Sequence, residues 1–171
     1  PGILAEQALA LGVPFIHYST DYVFDGSKPA PYTEDDAPNP LGVYGRSKLD
    51  AETRVLDADP QALVIRTSAF FGPWDRHNFV TQALGALANG EPFEAAGDMI
   101  VSPTYVPDLV KVALDLMIDR ERGIWHLTNG DAVSWAELAR RAGEQAGVTL
   151  PDATIAQFHR SDSSGTTDNF T

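Results

Sequence analysis

A chain of 171 residues, 43% of them hydrophobic, is long enough to close one domain around a sizeable core and too apolar for a disordered segment. Its 24 acidic residues against 12 basic ones leave a formal charge of −12, spread without a long single-sign block, which speaks for a solvated acidic surface and against nucleic acid as a partner. There is no cysteine, hence no disulfide or thiolate chemistry, and no bilayer-length apolar run or signal peptide, so the expectation is a soluble cytoplasmic protein with no membrane partner.

The chain opens without Met in a segment whose Ile3, Leu4, Ala8 and Leu11 follow a helical period closed by Gly12, as expected of the remainder of something longer. Val13 to Ser19 reads as a buried strand, the last part of a βαβ pattern. Residues 25–42 carry Gly26, Pro29, Pro31, Pro38, Pro40 and Gly42, a turn-rich stretch that is either a connector or the border of a cleft. A helix from Val43 to about Ala58 and a strand from Ala62 to Thr67 follow, then a loop from Ser68 to Trp74. A helix from about His77 to Asn89 presents Phe79, Val80, Ala83, Leu84 and Leu87 on one face. Phe93 to Ala96 and Met99 to Tyr105 read as short strands, and Pro107 suits the first turn of a helix whose buried stripe is Leu109, Val112, Ala113, Leu116 and Met117. Ile124 to Leu127 reads as a strand, and Ser134 with Glu137 as a capping box for a helix ending near Gly147. Residues 151–171 read as a short strand and a mobile tail.

Tyr44 and Lys48 stand four residues apart on the Val43 helix, so both side chains lie on one face and the ammonium can approach the phenol. A free phenol has a pKa of roughly 10, and a fixed cation nearby favours the phenolate, which makes the pair a usable proton donor near neutrality. A hydroxyl at the end of the preceding strand, Thr20, would complete the set by holding the oxygen that takes the proton. The spacing alone is weak evidence.

The flanking text is more specific. S-T-D-Y-V-F-D-G at 19–26, Y-x-E-D-D-x-P-N-P at 32–40 and V-Y-G-R-S-K-L at 43–49 are followed in order by R-T-S-A-F-F-G-P-W, N-F-V, S-P-T-Y-V-P-D-L and G-I-W-H-L-T-N. Together these resemble the extended short-chain dehydrogenase/reductases, most closely the dTDP-4-dehydrorhamnose reductase family, from Pro1 to about Gly147. The resemblance implies an α/β chain: the C-terminal part of a doubly wound Rossmann-like parallel sheet plus a smaller α/β substrate-binding lobe. The expected divisions are residues 1–68 as the catalytic half of an incomplete dinucleotide-binding domain, 69–150 as a sugar-nucleotide lobe with elements returning to the main sheet, and 151–171 beyond them.

By the same resemblance the activity is NAD(P)H-dependent reduction of a dTDP-4-keto-6-deoxysugar on the way to dTDP-rhamnose. Thr20, Tyr44 and Lys48 are the implied catalytic residues. Ser19, Tyr44, Lys48 and Ser68 would meet NADPH or NADH, and Asp21, Tyr22, Trp74 and Asn78 a dTDP-sugar or other nucleotide sugar. For Asn78 a simple helix N-cap is an equal alternative. No glycine-rich phosphate loop occurs in the chain, so the cofactor is expected to be held mainly by an upstream half, and the fragment alone to be inactive. A homodimer is left open. Where relatives commonly carry an aromatic residue after Thr-Ser, this chain has Ala69 before Phe70 and Phe71.

Two other readings share these residues: a nucleotide-sugar epimerase or dehydratase, and a non-catalytic sugar-nucleotide-binding regulatory subunit. The histidines His17, His77, His126 and His159 show no ligand spacing, so no protein-bound metal is expected, and His17 and His126 read as hydrogen-bonded core histidines. Glu34, Asp35 and Asp36 are adjacent loop acids, expected to point apart into solvent rather than to act as a catalytic pair.

Overall fold

The computed structural model describes residues 1–148 and 155–158. In chain order the elements are α1 (Gly2–Leu11), β1 (Ile16–Tyr18), a 3-10 turn (Asp21–Val23), α2 (Val43–Ala58), β2 (Leu63–Arg66), β3 (Phe70–Phe71), α3 (Phe79–Ala88), β4 (Phe93–Ala96), β5 (Ile100–Val101), β6 (Thr104–Tyr105), α4 (Val106–Ile118), β7 (Gly123–His126), β8 (Val133–Ser134), α5 (Trp135–Gln145) and β9 (Ile155–Phe158). No helix among the described residues is long and apolar enough to cross a membrane. The described residues divide into two compact units, residues 1–68 with 107–128, and residues 69–106 with 129–148 and 155–158.

The first unit is built on a three-stranded parallel sheet of order β1-β2-β7, in which Ile16 pairs with Leu63 and Leu63 with Gly123. β2 is the central strand, and all four of its residues, Leu-Val-Ile-Arg, are buried, as a parallel strand covered on both faces requires. Alternation sends Val64 to one face, where it meets Ala5, Val55 and Ala62, with Phe15 and Ile124 beside them. It sends Leu63 and Ile65 to the other, against Leu109 and Ala113 of α4 with Trp125 and Leu127. Helices therefore cover both faces of a parallel sheet, the arrangement of a doubly wound α/β fold.

Two expectations for the start of the chain are corrected. β1 is shorter than Val13 to Ser19 and only half-buried, because among the described strands it pairs with β2 alone. α1 ends at Gly12 as expected, in the left-handed region at φ 66°, but it buries Ala5 and Ala8, while Ile3 is 77% and Leu11 76% exposed. The small side chains let α1 lie close on α2, and the large ones are left outside.

In the second unit β4 pairs with β9 in parallel, β3 with β6 in parallel, and β5 with β8 antiparallel. α3 and α5 pack together, and Phe79 joins them to the sheet, its ring 4.5 Å from Trp135 and 5.3 Å from Phe93. The stretch from Ser68 to Trp74 is not wholly loop, since Phe70–Phe71 forms β3. Met99 to Tyr105 is two strands rather than one, interrupted at Ser102-Pro103, where proline has no N–H to offer a ladder. Ser134 caps α5 by accepting the Glu137 N–H at 3.1 Å. The mobile tail expected after β9 lies outside the described residues.

Candidate active site

Beyond the last residue of β1 the chain stays laced to β2. The Ser19 N–H donates to the Ile65 carbonyl at 2.7 Å and the Asp21 N–H to the Thr67 carbonyl at 3.2 Å, so Ser19 to Asp21 run beside Thr67 and Ser68. Ser19, Thr20, Thr67 and Ser68 are all buried, at the carboxyl ends of two parallel strands, where open α/β sheets bind their ligands. Thr20 caps the 3-10 turn: its hydroxyl accepts the Tyr22 N–H at 3.3 Å and donates to Asp21 at 3.1 Å. Burial pushes the Asp21 carboxyl above its ordinary range, opposed by hydrogen bonds from Thr20 and Ser68.

α2, with Gly42 at its N-cap, brings three residues to this place. Tyr44 is 58% exposed, its ring edge-on to Tyr22 with centroids 6.0 Å apart. One turn later the Lys48 ammonium donates to the Tyr18 carbonyl at 2.5 Å, which directs it to the end of β1. Burial lowers the Lys48 pKa, and the nearby Glu52 charge works to raise it. Between them Gly45 permits the contact, since a Cβ there would stand 2.1 Å from the Tyr22 carbonyl oxygen.

Behind these side chains lies a polar layer. Glu52, one turn beyond Lys48, is 2% exposed and accepts the Ser19 hydroxyl. Arg66, itself buried in β2, donates from Nε at 3.0 and 3.2 Å and from Nη2 at 2.7 Å to the same carboxylate. The guanidinium lies 5.1 Å from the Phe24 ring, which stacks on Tyr32 at 4.2 Å and meets His126 edge-on at 5.7 Å. The buried Arg66 Nη1, His17 Nε2 and His126 Nε2 have no hydrogen-bond partner among the described residues. His17 and His126 are half-buried with Nε2 unsatisfied, the His126 ring being hydrogen-bonded to the Tyr32 backbone, and burial lowers both pKa values.

The turn-rich stretch at 25–42 is held by its acids. Asp25 accepts the Ser27 N–H, the Tyr32 hydroxyl and the Asn39 amide at 2.8 to 2.9 Å, which keeps its carboxyl far below the usual range. Asp36 takes Lys28 at 2.5 Å and the Thr33 N–H at 2.7 Å, and its pKa falls to about 2. Glu34 reaches instead to the His126 N–H of β7 at 2.8 Å. Glu34 and Asp36 thus point to different partners and do not form an acid/base pair.

In the second unit Trp74 is 77% exposed. Asn78 is the N-cap of α3, accepting the Thr81 N–H at 2.9 Å, while its amide donates to the carbonyls of Gly72 at 3.2 Å and Asp75 at 2.5 Å. Its side chain therefore fastens the turn that carries Trp74. Ala69, where the chain departs from the expected aromatic, sits in the left-handed region at φ 46° and accepts the Thr104 N–H at 3.1 Å.

Of the residues singled out from the sequence, Ser19, Thr20, Asp21, Tyr22, Tyr44, Lys48 and Ser68 gather around the ends of β1 and β2, and Trp74 and Asn78 share one turn of the second unit. Gly45, Glu52 and Arg66 were missed. Signals for them existed: a glycine inside a helix costs about 1 kcal/mol against alanine and wants a reason, and an arginine in an otherwise apolar buried strand wants a carboxylate.

The family described as the RmlD substrate binding domain matches residues 1–162. The chain is 40% identical over 144 residues to a dTDP-4-dehydrorhamnose reductase of Sinorhizobium fredii, covering 80% of this chain and 48% of the relative. It is 37% identical over 160 residues to one of Aggregatibacter actinomycetemcomitans, covering 90% and 51%. Its fold superposes on the crystal structure of the Bacillus anthracis dTDP-4-dehydrorhamnose reductase in complex with NADP with a TM-score of 0.88 at 28% identity, over 95% of this chain and 57% of that one. The chain spans about half the length of the curated relatives it matches.

Proposed function

We propose that this chain, which belongs to the RmlD substrate binding domain family, carries the proton-delivering and sugar-binding part of a reductase of dTDP-linked 4-keto-6-deoxysugars. The observation that carries the reading is the gathering of Thr20, Lys48 and Ser68 at the carboxyl ends of β1 and β2, with the exposed Tyr44 phenol one helical turn from Lys48. A cofactor's nicotinamide end fits here on the chemistry of the groups present: a part-buried ammonium, buried hydroxyls and strand-end backbone, the donor set that ribose hydroxyls require. Lys48, Tyr44 and the Ser19 and Ser68 region would hold it, with the rest of the molecule held outside these residues. When bound, NADPH or NADH supplies the hydride.

The work of the chain itself is binding and proton delivery. The Tyr44 phenol gives its proton to the keto oxygen as negative charge builds there, with Lys48 one helical turn away on the same helix. Thr20 positions the carbonyl by turning its hydroxyl from Asp21, and Asp21 and Tyr22 border the sugar nucleotide. Asn78 acts by fastening the turn under Trp74.

The test is turnover of a dTDP-4-keto-6-deoxysugar with NADPH by the full-length polypeptide. Tyr44→Phe removes one hydroxyl and little surface, so kcat should fall on the order of 10²-fold or more with KM nearly unchanged. Near-normal turnover in that variant would remove Tyr44 as the acid and overturn the reading.

A further inference from the structure

We infer that Glu52 is a positioning residue for this reaction, fastening α2 to the ends of β1 and β2 so that Lys48 and Thr20 are held against the Tyr44 phenol; the inference rests on the reductase reading above. Glu52 follows Lys48 by four residues and Tyr44 by eight, so the three lie along one stripe of α2. Its single carboxylate takes a hydroxyl from Ser19, the residue before Thr20, and two nitrogens from Arg66, the residue before Thr67. Thr67 in turn accepts the Asp21 N–H. One side chain on the helix is therefore bonded next to each strand end that builds the site.

Packing alone does not call for a charge here. Ala51 and Val55 cover the same side of α2 with apolar groups, and a buried ion pair is commonly replaceable by hydrophobic residues of similar volume without loss of stability. The carboxylate contributes direction, because a bidentate guanidinium and a hydroxyl fix it in a narrow geometry. It also contributes field. Around Lys48 stand Glu52 on its own helix and His17 and the Tyr18 carbonyl of β1, with Arg66 of β2 bonded to Glu52 and Tyr44 one helical turn earlier on α2. Of these Glu52 supplies the anion, and its charge opposes the burial that lowers the Lys48 pKa. Removing the anion lowers the pKa of Lys48, and that of His17 with it, so the ammonium is lost at lower pH.

Glu52→Gln in the full-length protein keeps the shape and removes the charge. The alkaline limb of its kcat/KM profile should move to lower pH, and kcat should fall on the order of tenfold while the sugar-nucleotide KM holds within about twofold. The Lys48 ionisation midpoint, read by amine labelling and mass spectrometry across pH, should move down in the same variant; this needs no turnover. A parent protein without reductase activity would refute the functional reading, and the labelling midpoint would then decide the positioning role by itself. If Glu52→Gln does not fold, Glu52→Gln with Arg66→Met removes both charges together and carries the same labelling expectation. An unchanged Lys48 midpoint, or unchanged kcat in an active protein, overturns the inference, whatever happens to thermal stability.

Discussion

Two sets of ion pairs in this chain use the same chemistry to opposite ends. Glu52 and Arg66 meet at 2.7 Å with side chains 2% and 4% exposed, whereas on α5 Glu137 binds Arg140 at 2.6 Å and Arg141 at 2.7 Å in the open, and Arg140 also reaches Glu144. The short distances are alike; the solvent differs. Water competes for every donor of the α5 cluster and screens its charges, so those bonds add little and tolerate loss. Around Glu52 no water competes, and each partner left alone would be a bare buried charge. Bond length therefore says nothing about which pair the fold depends on, and burial says nearly everything.

The sharpest way to break this comparison is to remove one member of the buried pair. Glu52→Ala leaves the Arg66 guanidinium buried without its carboxylate, and Arg66 Nη1 already lacks a partner among the described residues. The expected loss is about 3–5 kcal/mol in urea unfolding, the cost of an uncompensated buried charge. A loss under about 1 kcal/mol would mean the pair behaves like a surface one.

A smaller effect tests the contact that brings the site helix to its strand. Gly45→Ala forces a Cβ to within 2.1 Å of the Tyr22 carbonyl oxygen and 3.0 Å of Pro40 Cβ, and the obstacle is backbone, not a flexible side chain. Overpacking of this kind costs about 1–3 kcal/mol, outweighing the gain of about 1 kcal/mol that alanine brings to an ordinary helix position. Measured unfolding that is equal to or better than the parent would show α2 free to step away from Tyr22.

Much of this was legible in the sequence because it is local. α2 spans Val43 to Ala58 as expected, and the parallel sheet follows from short apolar strands separated by helices. The ordered motifs carried the family as well. What escaped depends on distance along the chain. Periodicity marks Ile3 and Leu11 of α1 as apolar but does not disclose that the neighbouring helix accepts only Ala5 and Ala8. The two-residue β3 has no period to detect. Glu52 looks like any surface glutamate of a helix until Ser19, 33 residues earlier, and Arg66, 14 later, are seen to close on it.

The smallest expected effect belongs to the exposed cluster, and its pH dependence has a definite sign. Arg140 and Arg141 hold the Glu137 carboxyl at about 2, down from its usual 4.5, through hydrogen bonds. A carboxyl whose pKa is depressed on folding adds stability above its unfolded value and loses it as pH falls through the folded one, here between about pH 4.5 and about pH 2. Arg140→Ala removes part of that depression only, because the Arg141 Nε still bonds Glu137 at 2.7 Å. In low salt the variant should therefore melt slightly below the parent at neutral pH, with the gap closing as pH drops through the folded pKa of about 2 and Glu137 becomes protonated in both. At physiological salt the two melting curves should coincide throughout, since ions screen what water has not already weakened. A gap at neutral pH and physiological salt as large as that of Glu52→Ala would place the α5 cluster beside the buried pair and erase the distinction that burial draws between them.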